Sequence, residues 1–294
     1  MGFVLEPEEA QEWIAADARN ADVLFPYLNG EDLSSRPDTS ASRWVIDFND
    51  WPEERARKYP LPYARLSERV KPERQRRKPN GSYALLESRF ERWWQYGSNA
   101  PALRKAIAGL SEVLVIATVS KSVMPMRVPT GQVFSNKLDL FATDSYSDQA
   151  ILSSSLHQLW AITYGSTLEA RVAYTPSYVF ETFPFSEGTP NTEHLGQLLH
   201  RERGAVMLRR GLGLTRLYNL LNDPAVCGDA DVDRLREIHE EHDNAVLAAY
   251  GWEDLVITHG FHTFRQTERF TVDEPSRVEI LDRLLLLNRE RSGL

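Results

Sequence analysis

Residues 113–143 read Val-Leu-Val-Ile-Ala-Thr-Val-Ser-Lys-Ser-Val-Met-Pro-Met-Arg-Val-Pro-Thr-Gly-Gln-Val-Phe-Ser-Asn-Lys-Leu-Asp-Leu-Phe-Ala-Thr. The opening run, Val113 to Ser120, is dense in β-branched side chains and predicts a buried strand. Val123–Val128, Gln132–Phe134 and Lys137–Thr143 follow at short spacing, and Pro129-Thr-Gly131 supplies a turn. The expectation is a small antiparallel meander.

Upstream, Pro7–Ala16 predicts a helix with proline in its first turn and Trp13 and Ile14 facing inward. Phe25 to Leu33 reads as loop, with Asn29-Gly30 as a turn. Arg43–Phe48 reads as strand, and Asp50 as the cap of a helix with Pro52 near its start. Prolines 60, 62, 72 and 79 cut the next stretch short, before helices expected at Ser82–Gln95 and Pro101–Leu110. Downstream, Ser147–Tyr164 predicts one helix capped by Ser147 or Asp148, and Thr167–Tyr174 a strand. Pro184–Pro190 is the best linker. Helices are then expected at Thr192–Arg210, Leu214–Leu221, Asp231–Tyr250 and Pro275–Arg291, with Leu235, Ile238, His242, Ala245 and Ala249 on one stripe. The fold class read from this pattern is α+β: a mixed α/β domain over 1–185 with a small antiparallel sheet, then a mostly α-helical domain over 192–294.

The chain of 294 residues is 42% apolar and 26% charged, which excludes collagen-like, low-complexity and disordered classes. Its one cysteine, Cys227, excludes a disulfide framework and a cysteine-based zinc site. The longest apolar run, Ala245–Tyr250, is too short to span a bilayer. The N-terminus lacks a signal-peptide pattern, and Glu6 stands where a myristoylation signal needs Ser or Thr. A soluble cytoplasmic protein without membrane contact is expected.

Net charge is −8, which by itself argues against nucleic acid. Its distribution does not. Residues 1–54 balance to −10, residues 55–127 to +11 and residues 128–294 to −9. The densest part, Arg55–Lys78, holds ten Lys and Arg against Glu68 and Glu73, with Tyr59, Tyr63, Tyr83, Trp93 and Trp94 in or near it. Such a segment suits a phosphate-tracking surface. It equally suits a solvated helical face paired with the acidic flanks, and charge alone leans to the second.

Common catalytic signatures are missing. There is no Gly-x-Gly-x-x-Gly, no Walker-type loop and no Gly-x-Ser-x-Gly. No lysine has an acid two residues before it, so Arg36-Pro37-Asp38 has no partner for a metal nuclease and reads as a turn. His239/His242 share a helical face, yet His242 lies on the apolar stripe, which favours a satisfied core histidine over a metal ligand. His259-Gly-Phe-His262 reads as structural around a glycine turn. Cys227 has no adjacent basic group to activate it. Glu169-Ala-Arg171 lies in a strand-like stretch, so period two puts both side chains on one face. Arg recognises guanine and a carboxylate accepts from cytosine, so the two could read one base pair. A solvent-side ion pair is the plainer alternative.

A dozen collinear stretches carry a resemblance. They include Phe25-Pro-Tyr-Leu-Asn-Gly-Glu-Asp-Leu33, Ser42-Arg-Trp-Val-Ile-Asp-Phe48, Val70-Lys-Pro-Glu-Arg74, Arg92-Trp-Trp-Gln-Tyr96 and Val128-Pro-Thr-Gly-Gln-Val-Phe-Ser135. Phe180-Glu-Thr-Phe-Pro-Phe185, Ala248-Ala-Tyr-Gly-Trp252 and His259-Gly-Phe-His262 continue the series. In this order they resemble the C-terminal part of MmeI-like DNA adenine methyltransferases and type IIG/IIL restriction–modification enzymes. Residues 1–185 resemble the target recognition domain and 192–294 the C-terminal helical domain.

The resemblance implies a sequence-specific, double-stranded DNA-binding module. The family's glycine-rich S-adenosylmethionine motif and Asn-Pro-Pro-Tyr motif do not occur here. The expectation is recognition without catalysis: no enzyme on its own and no cofactor or metal in this chain. S-adenosylmethionine would belong to a methyltransferase domain or subunit as partner, with the chain a separate specificity subunit or a truncated form. By resemblance, bases are read from the region Ser120–Arg171, giving Lys121, Arg127, Gln132, Asn136, Lys137, Glu169 and Arg171 as candidates. The basic block gives Arg65, Arg69, Lys71, Arg74, Arg76, Arg77 and Lys78 as phosphate contacts. The alternative is a protein-interaction or regulatory module that binds a methyltransferase or restriction complex without reading DNA, which the acidic flanks favour.

Overall fold

The computed structural model describes residues 2–97, 100–168, 171–265 and 267–293. In chain order its first part forms β1 (Val4–Leu5), α1 (Pro7–Ala16), a 3-10 turn (Ala18–Asp22), β2 (Leu24–Leu28), α2 (Gly30–Ser35), β3 (Arg43–Ile46), α3 (Glu53–Ala56), α4 (Pro60–Arg69), α5 (Lys71–Arg74), α6 (Glu87–Glu91) and α7 (Pro101–Ile107). The middle holds β4 (Glu112–Ala117), β5 (Val119–Ser120), β6 (Met126–Pro129), β7 (Val133–Phe134), β8 (Leu138–Phe141), α8 (Tyr146–Ser153), α9 (Ser155–Tyr164), β9 (Ser166–Leu168) and β10 (Arg171–Ala173). The last part is α10 (Pro190–Arg210), α11 (Leu214–Leu221), α12 (Ala230–Ala249), β11 (His259–Phe264), β12 (Thr267–Val272) and α13 (Glu274–Ser292). The architecture is α+β, as expected, with small sheets.

Two compact units share the chain by interleaving. One comprises Met1–Leu28, Ala41–Gly109 and Thr130–Ser135; the other comprises Asn29–Ser40, Leu110–Pro129 and Asn136–Leu294. The boundary expected between 185 and 192 falls inside the second unit. There the expected linker is irregular chain bound into the structure: the Tyr250 hydroxyl donates to the Pro184 carbonyl at 2.9 Å.

In the first unit the strand order is β1-β3-β2-β7, with β7 parallel to β2 and the other pairs antiparallel. Phe25-Pro-Tyr-Leu, expected as loop, is therefore strand. Pro26 is tolerated because β7 pairs only with Tyr27 and Leu28, so its missing N–H breaks no bond on that side. Leu5, Val23, Val45, Ile46, Phe48 and Leu66 are buried and form the core with Trp93 and Trp94. Trp13 and Ile14 pack against it half-buried. Asp50 caps nothing: α3 begins after Pro52 and has no side-chain cap. The helix expected over Ser82–Gln95 shrinks to α6. Asn80-Gly81 makes a turn with Gly81 at φ +81, and Arg77 bridges Tyr83 as a short antiparallel pair instead.

In the second unit the meander holds in part. β4 lies between β6 and β8, both antiparallel to it. The stretch Gln132–Phe134 leaves it as β7. The expected strand Val113–Ser120 splits at Thr118, and β5 joins a separate sheet, β5-β10-β9. The expected helix Ser147–Tyr164 also splits. Ser154 turns extended at φ −72, ψ 158, and its hydroxyl accepts from the His157 N–H. Ser145, not Ser147 or Asp148, caps α8. Thr167–Tyr174 is two antiparallel strands rather than one.

The late helices fall within two residues of expectation. α10 opens with a reciprocal Thr189–Thr192 cap and ends on Gly211 in the left-handed region. His259-Gly-Phe-His262, read as structural around a glycine turn, is instead part of strand β11, which pairs with β12 in a hairpin, with Arg265 at φ +46. Leu114, Ile116, Leu156, Trp160, Val246, Ile280 and Leu284 share the buried core of this unit. Each such side chain contributes roughly 1.5–3 kcal/mol by leaving water.

Candidate nucleic-acid interface

Thr118, between β4 and β5, is the hub of the expected base-reading region. Its N–H donates to the Lys137 carbonyl at 2.9 Å, and its carbonyl accepts from the Tyr174 N–H at 2.7 Å. The start of β8 and the end of β10 are thereby tied to one residue. β5 pairs with β10 with Val172 opposite Ser120, and one further step in that register sets Arg171 opposite Lys121. Main-chain bonds thus gather the segments bearing Lys121, Asn136, Lys137 and Arg171. All four side chains are exposed. Glu169 lies outside the described residues, so its expected alignment with Arg171 does too.

Lys121 is supported from the far end of the chain. Ser120 Oγ donates to the Ser122 carbonyl at 2.7 Å, and Arg269 Nη1 donates to the Lys121 carbonyl at 2.9 Å. A cavity of about 390 Å³ opens beside it, lined also by Thr215, Asn219, Asn222 and Arg269. Arg269 is only 7% exposed, and burial lowers its pKa. Asn222 is committed, accepting from the Phe270 N–H and donating to the Tyr218 carbonyl.

Arg127 lies elsewhere. It is buried on β6, with Nη1 donating to the Asp144 carbonyl at 2.8 Å and Nε to Gln149 Oε1 at 3.3 Å. Its guanidinium sits 3.9 Å from the Tyr146 ring centre. It holds the sheet to α8 and does not present its charge to solvent in this conformation. Gln132 is half-buried and belongs to the first unit.

The basic block divides by burial. Arg69, Arg76, Arg77 and Lys78 are exposed. Arg77 packs over Tyr83 and Phe90 and donates to the Gly81 carbonyl at 2.9 Å. Lys71 is half-buried over Trp93. Arg65 is turned inward, bound to Glu9 at 2.6 Å and to the Val4 carbonyl. Arg74 is 9% exposed, and burial, with the nearby Arg89 charge, pushes its pKa down to about 10. Helices α4 and α5 pack on an aromatic core, so some of their cations must face it. The interleaved aromatics mostly serve that core rather than a stacking platform. Trp93 and Trp94 are buried, and the Tyr63 hydroxyl donates to Glu53 at 2.6 Å.

Among the described residues no three His, Cys, Asp or Glu side chains gather into a metal-holding group. His242 is a core residue as expected, but neither ring nitrogen has a hydrogen-bond partner. His259 Nε2 lies 2.8 Å from Asp243 Oδ2, and Asp243 Oδ1 accepts from the Ser155 N–H. Cys227 is exposed. Among the described residues no helix is long and apolar enough to cross a membrane. Residues the sequence reading passed over are Arg269, which fixes Lys121, and Arg89 and Arg92. The last two lie just beyond the dense block; their three-residue spacing, and the place of Arg92 at the head of the stretch Arg92–Tyr96, are the available signals.

An α+β module with exposed cations gathered at strand ends is the class that this fold and site define. The chain belongs to the MmeI target recognition domain family, whose model matches residues 1–187. The resemblance read from the motifs is thus to the chain's own family. The solved structure of the type IIL restriction–modification enzyme MmeI in complex with DNA is similar in fold. The TM-score is 0.65 at 18% identity, over 100% of this chain and 34% of that one. The chain therefore spans about a third of the length of the MmeI chain it matches. No curated protein matches it.

Proposed function

We propose that this chain reads a specific sequence on double-stranded DNA for an adenine methyltransferase or restriction–modification enzyme. Membership of the target recognition family supports this reading, and the gathering of Lys121, Asn136, Lys137 and Arg171 about Thr118 carries it to residues. Arg171, with Glu169 by resemblance, reads one base pair through its edges. Lys121, Asn136 and Lys137 contact neighbouring bases, and Arg127 positions that surface from beneath. Arg69, Arg76, Arg77 and Lys78 hold backbone phosphates, a contact that sets register without reading sequence. Locally clustered cations attract DNA despite the net negative charge.

In this reading the chain binds and orients, and the chemistry falls to a partner. A methyltransferase domain or subunit holds S-adenosylmethionine and takes the target adenine out of the stack. This chain selects where that happens. The test is selection of bound duplexes from a random pool at two salt concentrations. A non-palindromic motif enriched at both is expected. Binding without enrichment, lost at the higher salt, would favour the interaction-module alternative.

A further inference from the structure

Three arginines surround one cavity in the first unit. Arg74, Arg89 and Arg92 line a space of about 430 Å³ with Leu86, Ser88 and Gln95. Arg74 comes from the end of α5 and is 9% exposed. Its Nη1 donates to the carbonyls of Trp93 at 3.2 Å and Gln95 at 2.6 Å, and the guanidinium lies 4.6 Å from the Phe3 ring centre, contacts that fix it without a carboxylate partner. Arg89 stands on α6 and Arg92 at its C-terminal cap, three residues apart and therefore on neighbouring positions of one face. Both are exposed.

No carboxylate lines this cavity among the described residues. The first charge to act on Arg74 is the guanidinium of Arg89, which repels it. A buried cation beside another, with no acid to balance it, is unfavourable until an anion arrives. Guanidinium forks match the paired oxygens of a phosphoryl group. The Ser88 hydroxyl adds a neutral donor. The volume lies in the range of ordinary ligand clefts.

We infer that this cavity receives one phosphoryl group and that its occupant is a backbone phosphodiester of bound DNA. The occupant's identity rests on the DNA-reading proposal; the pocket's chemistry does not. It extends the phosphate contacts beyond the basic block to Arg89 and Arg92, and gives buried Arg74 a ligand that it shares with them.

The test uses the full chain and the double variant Arg89→Ala/Arg92→Ala, whose side chains are exposed and whose unfolding temperature in chloride should match the parent. Duplex affinity is measured across a salt series, and unfolding temperature is measured in inorganic phosphate against chloride at matched ionic strength. The expected result is a loss of about tenfold in affinity for every duplex sequence alike. The slope of log affinity against log salt should become shallower by about 1–2. If duplex binding is unchanged while phosphate stabilises the parent and not the variant, the pocket stands but its assignment to DNA is overturned. If neither measurement separates the two proteins, the inference is overturned entirely. If the parent binds no duplex at all, the proposed function fails and the phosphate arm alone decides the pocket.

Discussion

The carbonyl of Lys121 accepts a hydrogen bond from Nη1 of Arg269, a residue 148 positions further along the chain. A candidate DNA contact in the matched region is therefore seated by β12 near the C-terminus. Arg269→Ala removes the donor, orphans a carbonyl and empties a buried site. The expected cost is ~2–4 kcal/mol in urea unfolding. Arg269→Lys should recover less than half of it, because an ammonium lacks the planar fork. Equal stability in all three proteins would show that the contact holds nothing.

Arg171→Ala should change the preferred base at one position of the selected motif, with ~1–3 kcal/mol of discrimination lost there. Glu169→Ala should act at the same position. An unaltered motif from the Arg171 variant would remove that residue from base reading.

Arg76 and Lys78 are exposed, whereas Arg65 is bound to Glu9 and to the Val4 carbonyl. Arg76→Ala/Lys78→Ala should weaken all sequences equally and flatten the salt slope by about 2, with stability unchanged. Arg65→Ala should do the opposite, losing ~1–3 kcal/mol of stability with little change in slope. Salt-series binding and denaturant curves on both variants separate the two roles.

His157 and His242 are fully buried, and burial pushes each pKa down to about 4. His157 Nδ1 lies 2.8 Å from the Leu152 carbonyl oxygen and Nε2 3.0 Å from the Tyr174 hydroxyl, contacts that the neutral ring meets by donating from Nδ1 and accepting at Nε2. Unfolded histidine titrates near ~6.5. The unfolded chain thus binds more protons between about pH 6.5 and 4, and stability falls as pH drops through that window, by several kcal/mol in all. Burial opposes the charge on His259, but the hydrogen bond and charge of Asp243 outweigh it and raise the pKa. That pair stabilises below about pH 6.5 and fades as pH rises past the raised value. His242→Leu should shallow the acid limb of a stability–pH curve. An unchanged limb would mean that His242 is not neutral in the folded chain.

A methyl group added at Gly196 would run into the Tyr146 carbonyl oxygen, since α10 lies against α8 there. Gly196→Ala, though it favours helix locally, should cost ~1–3 kcal/mol or more by overpacking. A gain in unfolding temperature would show that the two helices move apart freely.

Elements with local punctuation were legible in the sequence. Pro7 opens α1, and the apolar spacing of Leu214–Leu221 bounds α11 at both ends; the Thr189-Pro190 start of α10 reads in sequence as the end of a linker. Elements whose evidence is a distant partner were not. β2 contains a proline and becomes strand only against β3 and β7. β7 sits in the middle of an apparent meander and leaves it. The polar β11–β12 hairpin shows no alternation. Serine at 154 breaks a helix by offering its own hydroxyl to the His157 N–H, a choice invisible in hydrophobic spacing. At the site the charge pattern located the cations but could not sort them by burial. Arg127, Arg74 and Arg65 are as basic in sequence as Arg76, yet they face inward.

The interleaving of the two compact units sets an order on biosynthesis. The chain crosses from one to the other five times, at 28, 40, 109, 129 and 135. During synthesis the first unit lacks its last strand until residue 135 has emerged from the ribosome. The short segment 29–40 must meanwhile wait for residues made long after it. Neither unit is a contiguous stretch that a nuclease-trimmed gene or a protease cut could release whole. A nascent chain stopped after Gly109 would hold β1, β2 and β3 with the edge of β2 still bare, exposed to whatever strand arrives first.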